Sequence, residues 1–265
     1  MKHADEIDVS RRRLLIQALT TGIFSAGLPG SNSFAASIFG SKPSKLPPSQ
    51  SIYRISGQAT VNGKEATLET IIKPGDSVQT AKDSEIIFVV NGNNSMILRS
   101  DSHLLIETQQ NKAIDPPKKK AERNKIPPPP READTPLITG LKLLAGKLLS
   151  VSRDSPMRIR TATAVLGIRG TGFYIEADPD LTYFCTCYGI TEAASNTNPD
   201  SKETIESTHH DRPVYIVNDT QGNNIRKAPL INHTDQELSL IETLVGRIPP
   251  FIFANDDYDA PRRDY

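Results

Sequence analysis

Residues 161–189, TATAVLGIRGTGFYIEADPDLTYFCTCYG, constrain the fold of this chain more than any other stretch. Small and β-branched residues open the segment. Gly167, Gly170 and Gly172 then surround an Arg-Gly-Thr step, and a strand-like run carrying Cys185 and Cys187 closes it. β-Branched and aromatic residues fit a pleated, half-buried surface. Glycines inside such a run mark a sharp bend or a close backbone approach. The segment therefore predicts two neighbouring strands with a tight chain reversal at the glycines.

The flanking sequence extends this β pattern. Ile55, Ala59 and Val61 lead into Asn62-Gly63, a two-residue hairpin turn in which both positions tolerate positive φ. Strands are expected over 76–80, 85–90, 95–99 and 103–107, with a turn at Asn91-Gly92-Asn93-Asn94. The leucines of LKLLAGKLLSVSR, from Leu141, also permit a helix, but Gly146 and the Val-Ser alternation favour strands. Residues 193–206 read as a polar loop and 214–217 as one more strand. Thr234-Asp235-Gln236-Glu237 is a capping box, so a helix is expected over 235–245 with Gly246 at its end and Pro249-Pro250 blocking extension. The predicted fold is mainly β: a single antiparallel sandwich or solenoid-like domain closed by one C-terminal helix.

Composition bounds the rest. Among 265 residues, Lys+Arg and Asp+Glu both number 31, so no global charge points to nucleic acid or to an anionic membrane surface. The 20 prolines imply long irregular segments. Residues 37–51 read as a Pro/Ser linker, 111–136 as a charged, proline-rich disordered insertion, and 254–265 as an acidic disordered tail. The expected layout is a β domain over 52–192 and a C-terminal extension over 193–253.

At the N-terminus, Ser10-Arg11-Arg12-Arg13-Leu14-Leu15 precedes a short apolar run broken at Gly27-Leu28-Pro29-Gly30, and Ser33-Phe34-Ala35 supplies small residues at cleavage-type spacing. This resembles a twin-arginine signal peptide, S-R-R-x-F-L-K, with Leu14 in the Phe position and Ile16 in the Lys position. The resemblance implies export to the periplasm, with residues 1–36 removed, or retained as an inner-membrane anchor. No lipid-anchor motif is evident.

Within 52–192 the sequence resembles the FecR domain. The matching pieces are Pro74-Gly75-Asp76 with Thr80, Leu144-Ala145-Gly146, and the block from Thr161 to Phe173 with its Gly-x-Arg-Gly-Thr-x-Phe core: Gly167, Arg169, Gly170, Thr171 and Phe173. Thr161-Ala162 stands where the family has Thr-Pro. These five residues read as a structural motif, with Arg169 projecting toward carbonyls or a carboxylate. The resemblance implies a periplasmic, non-catalytic domain that senses or relays through an envelope protein partner. Family regulators join it to a cytoplasmic anti-sigma segment that carries Trp. This chain has about a dozen residues before its apolar run and no Trp, so the expectation is a stand-alone exported FecR-domain protein.

Cys185 and Cys187 share one face of a strand, with Cα atoms about 6.5 Å apart. That is the edge of disulfide reach and would give a strained bridge. Two thiols on one face suit a metal better. His209, His210 and His233 are the companion soft ligands, beside His103, and Asp211, Asp235 and Glu237 lie close in sequence. A Cys₂His₂ set suits Zn²⁺ or iron, so the alternative function is a small exported metalloprotein, redox-active if the metal is iron. No G-x-S-x-G, P-loop, HExxH or paired-carboxylate motif points to an enzyme. If a metal is held, 193–253 must fold back so that the histidines meet the cysteine strand.

Overall fold

The computed structural model describes residues 43–108, 138–152, 156–220 and 222–251. The expected signal peptide, the proline-rich insertion and the acidic tail lie outside the described residues. Within them, no helix is long and apolar enough to cross a membrane.

Among the described residues, fourteen strands join into one sheet. In chain order they are β1 (Ile52–Ser56), β2 (Ala59–Val61), β3 (Lys64–Glu65), β4 (Ser77–Thr80), β5 (Glu85–Val90), β6 (Asn94–Leu98), β7 (His103–Thr108), β8 (Ile138–Ser152), β9 (Met157–Arg160), β10 (Ala164–Ala177), β11 (Leu181–Ser195), β12 (Lys202–Ser207), β13 (Val214–Val217) and β14 (Ile225–Lys227). One helix, α1 (Asp235–Leu244), follows. Among the described residues the fold is thus mainly β, with a single helix near the C-terminus. Every strand pairing is antiparallel except β8 with β9, where Leu141 faces Ile159. Strands from both sides of the 109–137 segment pair directly: β7 with β8 and β6 with β8.

The central strands are buried on both faces, and their period-two side-chain alternation feeds two apolar clusters. Ile86, Phe88, Val90, Met96, Leu98, Leu148, Phe173, Ile175 and Phe184 fill one. Ile87, Val89, Ile97, Leu149, Val151, Tyr174, Tyr183, Cys185 and Cys187 face the other way, where Leu238, Ile241 and Leu244 of α1 cover them. This explains the nearly continuous apolar run of β5: a strand buried on both faces has no polar alternation. The leucines of 141–152 divide between the faces in the same way, so β8 is a strand.

Two expectations are corrected. The glycine block makes no chain reversal. β10 runs straight through it as a 14-residue strand with a bulge between Arg169 and Phe173. Residues 165–168 of β10 pair with β9 and 171–177 pair with β8, so the bulge lets one strand change partners. Gly170 takes φ +62° there, and a Cβ on Gly172 would lie 2.5 Å from the Tyr188 ring. Phe173 and Thr171 are buried; Arg169 is exposed and has no carboxylate or carbonyl partner among the described residues. The second correction concerns 193–206. β11 continues to Ser195, and β12 pairs with it through Ile205 against Thr191. Only Ala193 and Ile205 bury apolar side chains there, so the solvated face makes the sequence look like a loop.

Candidate metal centre

Strand alternation sends Cys185 and Cys187 to the helix side of β11, both fully buried and both free thiols. The chain then makes a tight turn after β12. The Asp211 carboxylate accepts hydrogen bonds from the backbone N–H groups of Thr208 (2.7 Å) and His209 (3.3 Å), and the Asp211 N–H donates to Ser207 Oγ (3.0 Å). This closure holds His210 at φ +54°, with its N–H donating to the Cys187 carbonyl at 2.9 Å. The His210 ring is thereby turned inward over Cys185. From the other side, Thr234 caps α1 with the full capping box, which fixes His233 immediately before the helix and Asp235 at its first residue.

The result is a buried cluster. The Sγ atoms of Cys185 and Cys187 and one ring nitrogen each from His210 and His233 lie within 4.8 Å of one another. Cys185 Sγ is 3.5 Å from His210 Nδ1, and His210 Nδ1 is 3.1 Å from His233 Nε2. Bonds of about 2.0–2.1 Å to N and about 2.3 Å to S give tetrahedral edges of about 3.3 Å between nitrogens and about 3.5 Å from N to S. The two observed distances match those edges.

The outer hydrogen bonds fix which nitrogens face inward. His233 Nδ1 lies 2.6 Å from the Ile231 carbonyl, which can only accept, so Nδ1 carries the proton and Nε2 is bare. His210 Nε2 lies 3.0 Å from Asp235 Oδ1, so in the neutral ring Nε2 carries the proton and Nδ1 is bare. Two bare nitrogens and two sulfurs converge on one point. That arrangement requires a cation or a shared proton. A carbonyl behind one histidine and a carboxylate behind the other are the outer partners that orient metal-bound imidazoles.

His209 takes a different place. Its half-buried ring bonds through Nε2 to Asp235 Oδ2 at 2.9 Å, so Asp235 joins both histidines through its two oxygens. The carboxylate satisfies both Nε2–H groups, which makes this second triad an outer support for the cluster. His103 lies on β7 with Nε2 at 2.9 Å from Ser77 Oγ, outside the cluster. Glu237 serves the capping box and an ion pair to Arg99 (2.8 Å).

Electrostatics follow from the geometry. Burial alone would depress the His210 pKa, but the hydrogen bonds to Asp235 and Cys185 outweigh it and push it up to about 9. Burial opposes ionisation of Cys185 as well, yet hydrogen bonds from Cys187, His210 and His233 bring its thiol well below the ordinary range. Burial and the neighbouring Cys185 hold the Cys187 thiol well above it. Without a metal, then, the opposite shifts of Cys185 and His210 favour a proton shared between them in the place a cation would take.

Cys185, His210 and Asp235 also have the connectivity of a nucleophilic triad. The thiol is fully buried, though, and two surface grooves of about 370 and 380 Å³ lie elsewhere, lined by residues such as Asn198 and Gly222 in one and Arg158 and Glu192 in the other. Three supporting residues carry no signal in the sequence: Tyr174, whose ring stacks on His233 at 4.5 Å; Arg99, which lies over Tyr174; and Glu242, buried and bonded to Tyr188 and Arg247. Tyr174 of β10, Arg99 just after β6 and Glu242 of α1 are distant in sequence, and only the tertiary fold brings them here.

No family model matches the chain, and no curated protein matches it. Among solved structures it is similar to two crystal structures of a "putative anti-sigma factor" from Parabacteroides distasonis, at 14% and 13% identity with TM-scores of 0.40 and 0.39. Each alignment covers 57% of this chain and 58% of that chain, so the match spans less than two thirds of the neighbours' length.

Proposed function

We propose that the protein is a non-catalytic binding module whose C-terminal extension is clamped to the β sheet by a tetrahedral Cys₂His₂ zinc centre: Cys185, Cys187, His210 Nδ1 and His233 Nε2. The observation that carries this reading is the convergence of those four donor atoms, all buried, within 4.8 Å. Four protein ligands leave no open position for a substrate, the mark of a structural zinc site. Zinc supplies no redox chemistry there; it replaces the shared proton and ties β11, the 207–211 turn and the start of α1 together. The N-terminal arginine pattern and the 161–173 block support the wider reading: an exported, periplasmic FecR-type protein presenting this clamped surface to an envelope protein partner.

Metal analysis of natively exported protein tests the proposal. One equivalent of zinc per chain is expected, retained through gel filtration and absent from Cys185→Ser. A metal-free protein with an intact fold would overturn it.

Affinity should also depend on pH. Metal binding must displace the His210 proton, which the metal-free fold holds up to about pH 9. That pKa is raised above the unfolded value of about 6.5. The proton therefore stabilises the metal-free fold fully below about 6.5, and this contribution is lost as pH rises through about 9. Zinc affinity runs the opposite way: below about pH 9 it rises about tenfold per pH unit for this proton, and the Cys187 thiol, held well above its ordinary range, releases a second. Titration calorimetry in buffers of different ionisation enthalpy measures the slope and the released protons; a flat profile would contradict the assignment.

A further inference from the structure

Resting on the zinc centre proposed above, we infer that Tyr174, held by Arg99 and Glu176, is a positioning residue for His233 and sets the affinity of the site for its metal. His233 stands outside α1, in the loop that follows β14. Asn232, just before it, sits at φ +56°, in the left-handed region that Asn adopts more readily than other non-glycine residues. Three residues outside the loop hold this segment: Arg99, just after β6, and Tyr174 and Glu176 of β10. The Arg99 guanidinium, 7% exposed, donates through one Nη to the Asn232 carbonyl and through the other to Glu237 Oε1 at 2.8 Å. Asn232 Nδ2 donates to Glu176 Oε1 at 2.7 Å, and the same oxygen accepts from the Tyr174 hydroxyl at 2.6 Å. Backbone and side chain of Asn232 are thus both fixed, to Arg99 just after β6 on one side and to Glu176 of β10 on the other.

The ring of Tyr174 completes the seat. It lies nearly parallel to the His233 ring, 20° between planes and 4.5 Å between centroids, with the Arg99 cation 5.0 Å from its own centroid. Arg99, Tyr174 and His233 form one contiguous group in which the imidazole cannot rotate about its Cβ–Cγ bond without losing the stack. The Ile231 carbonyl at 2.6 Å sets which nitrogen is bare; Tyr174 sets where that nitrogen points. Tyr174 supplies no ligand atom of its own; it acts on the site through the His233 ring it stacks on, and it also lies opposite Cys185 in the β10–β11 ladder. Removing such an outer partner costs roughly 10–100-fold in metal affinity.

The test is a double-mutant cycle on the full chain, with zinc affinity measured by competition against a chromophoric chelator and the coordination read from the visible spectrum of the cobalt form. Tyr174→Leu is expected to lose roughly 10–100-fold in affinity, whereas Tyr174→Phe, which keeps the stack, should lose much less. In a His233→Ala background, Tyr174→Leu should add almost nothing, because the residue it positions is gone. An equal loss in both backgrounds would show a general packing role and overturn the inference, as would unchanged affinity in Tyr174→Leu. Far-UV circular dichroism keeps unfolding apart from loss of affinity, and an unfolded Tyr174→Leu passes the decision to the cycle between Arg99→Met and His233→Ala. A parent protein that binds neither zinc nor cobalt would overturn both this inference and the zinc centre; a parent that binds one equivalent with no coupling between Tyr174 and His233 would overturn this inference alone.

Discussion

Exchanging Cys185 for serine should abolish stoichiometric metal and lower the melting temperature by roughly 10 °C. A ligand that binds only the folded state stabilises it by about 4 kcal/mol when its free concentration is a thousand times its dissociation constant. For a domain of this size, each kcal/mol moves the melting temperature by about 2–4 °C. The effect is not total unfolding, because the apolar cluster under α1 persists without metal and other bonds hold the helix: Leu46 N–H to the Leu244 carbonyl at 2.9 Å, Tyr188 to Glu242, and Arg247 to the Asn93 carbonyl at 3.0 Å. A strong chelator should reproduce the shift in the parent and leave Cys185→Ser unmoved. Differential scanning calorimetry with and without chelator measures both. A parent whose melting temperature ignores the chelator would contradict the clamp.

Replacing Gly146 by alanine should destabilise the fold by about 3 kcal/mol, the sum of about 1–2 kcal/mol for a left-handed backbone and about 1–3 kcal/mol for overpacking. Gly146 sits inside β8 at φ +92°, and a Cβ there would meet the Ser102 backbone Cα at 2.5 Å and its Oγ at 2.1 Å. Ser102 cannot move aside cheaply, since its Oγ accepts from the Lys147 N–H at 2.8 Å and its own N–H donates to Thr80. Gly63→Ala is the control. It has φ +75° but nothing within 4 Å of the added carbon, so only the conformational cost of about 1–2 kcal/mol applies. Urea denaturation of the two variants should separate the steric part from the conformational part; equal losses would show that the contact with Ser102 does not matter.

The sequence made some of this legible for local reasons. The Asn62-Gly63 turn, the two-faced run of β5 and the capping box at Thr234 each depend on a few adjacent residues, and each appears where the pattern puts it. The glycine block misled because a glycine can serve a reversal or a bulge, and only the partner strands decide: β10 passes from β9 to β8 across Gly170. β12 was hidden because an edge strand with one buried apolar side chain keeps a polar composition. In the site, residue type identified the thiols and imidazoles, and strand periodicity put both thiols on one face. It could not say that His210 turns inward while His209 stays half-exposed, because that depends on the turn closed by Asp211 and on the positive φ of His210. Nor could it reach Tyr174, which is 59 positions from His233 in sequence and meets it only once α1 has docked.

X-ray absorption spectroscopy at the zinc edge, on protein purified without added metal, decides whether the Cys₂His₂ centre forms. The expected site is four-coordinate, with two sulfur neighbours at about 2.3 Å and two imidazole nitrogens at about 2.0–2.1 Å, reduced to one sulfur in Cys187→Ser. A zinc shell of oxygens and nitrogens without sulfur, or protein carrying no metal, would contradict it.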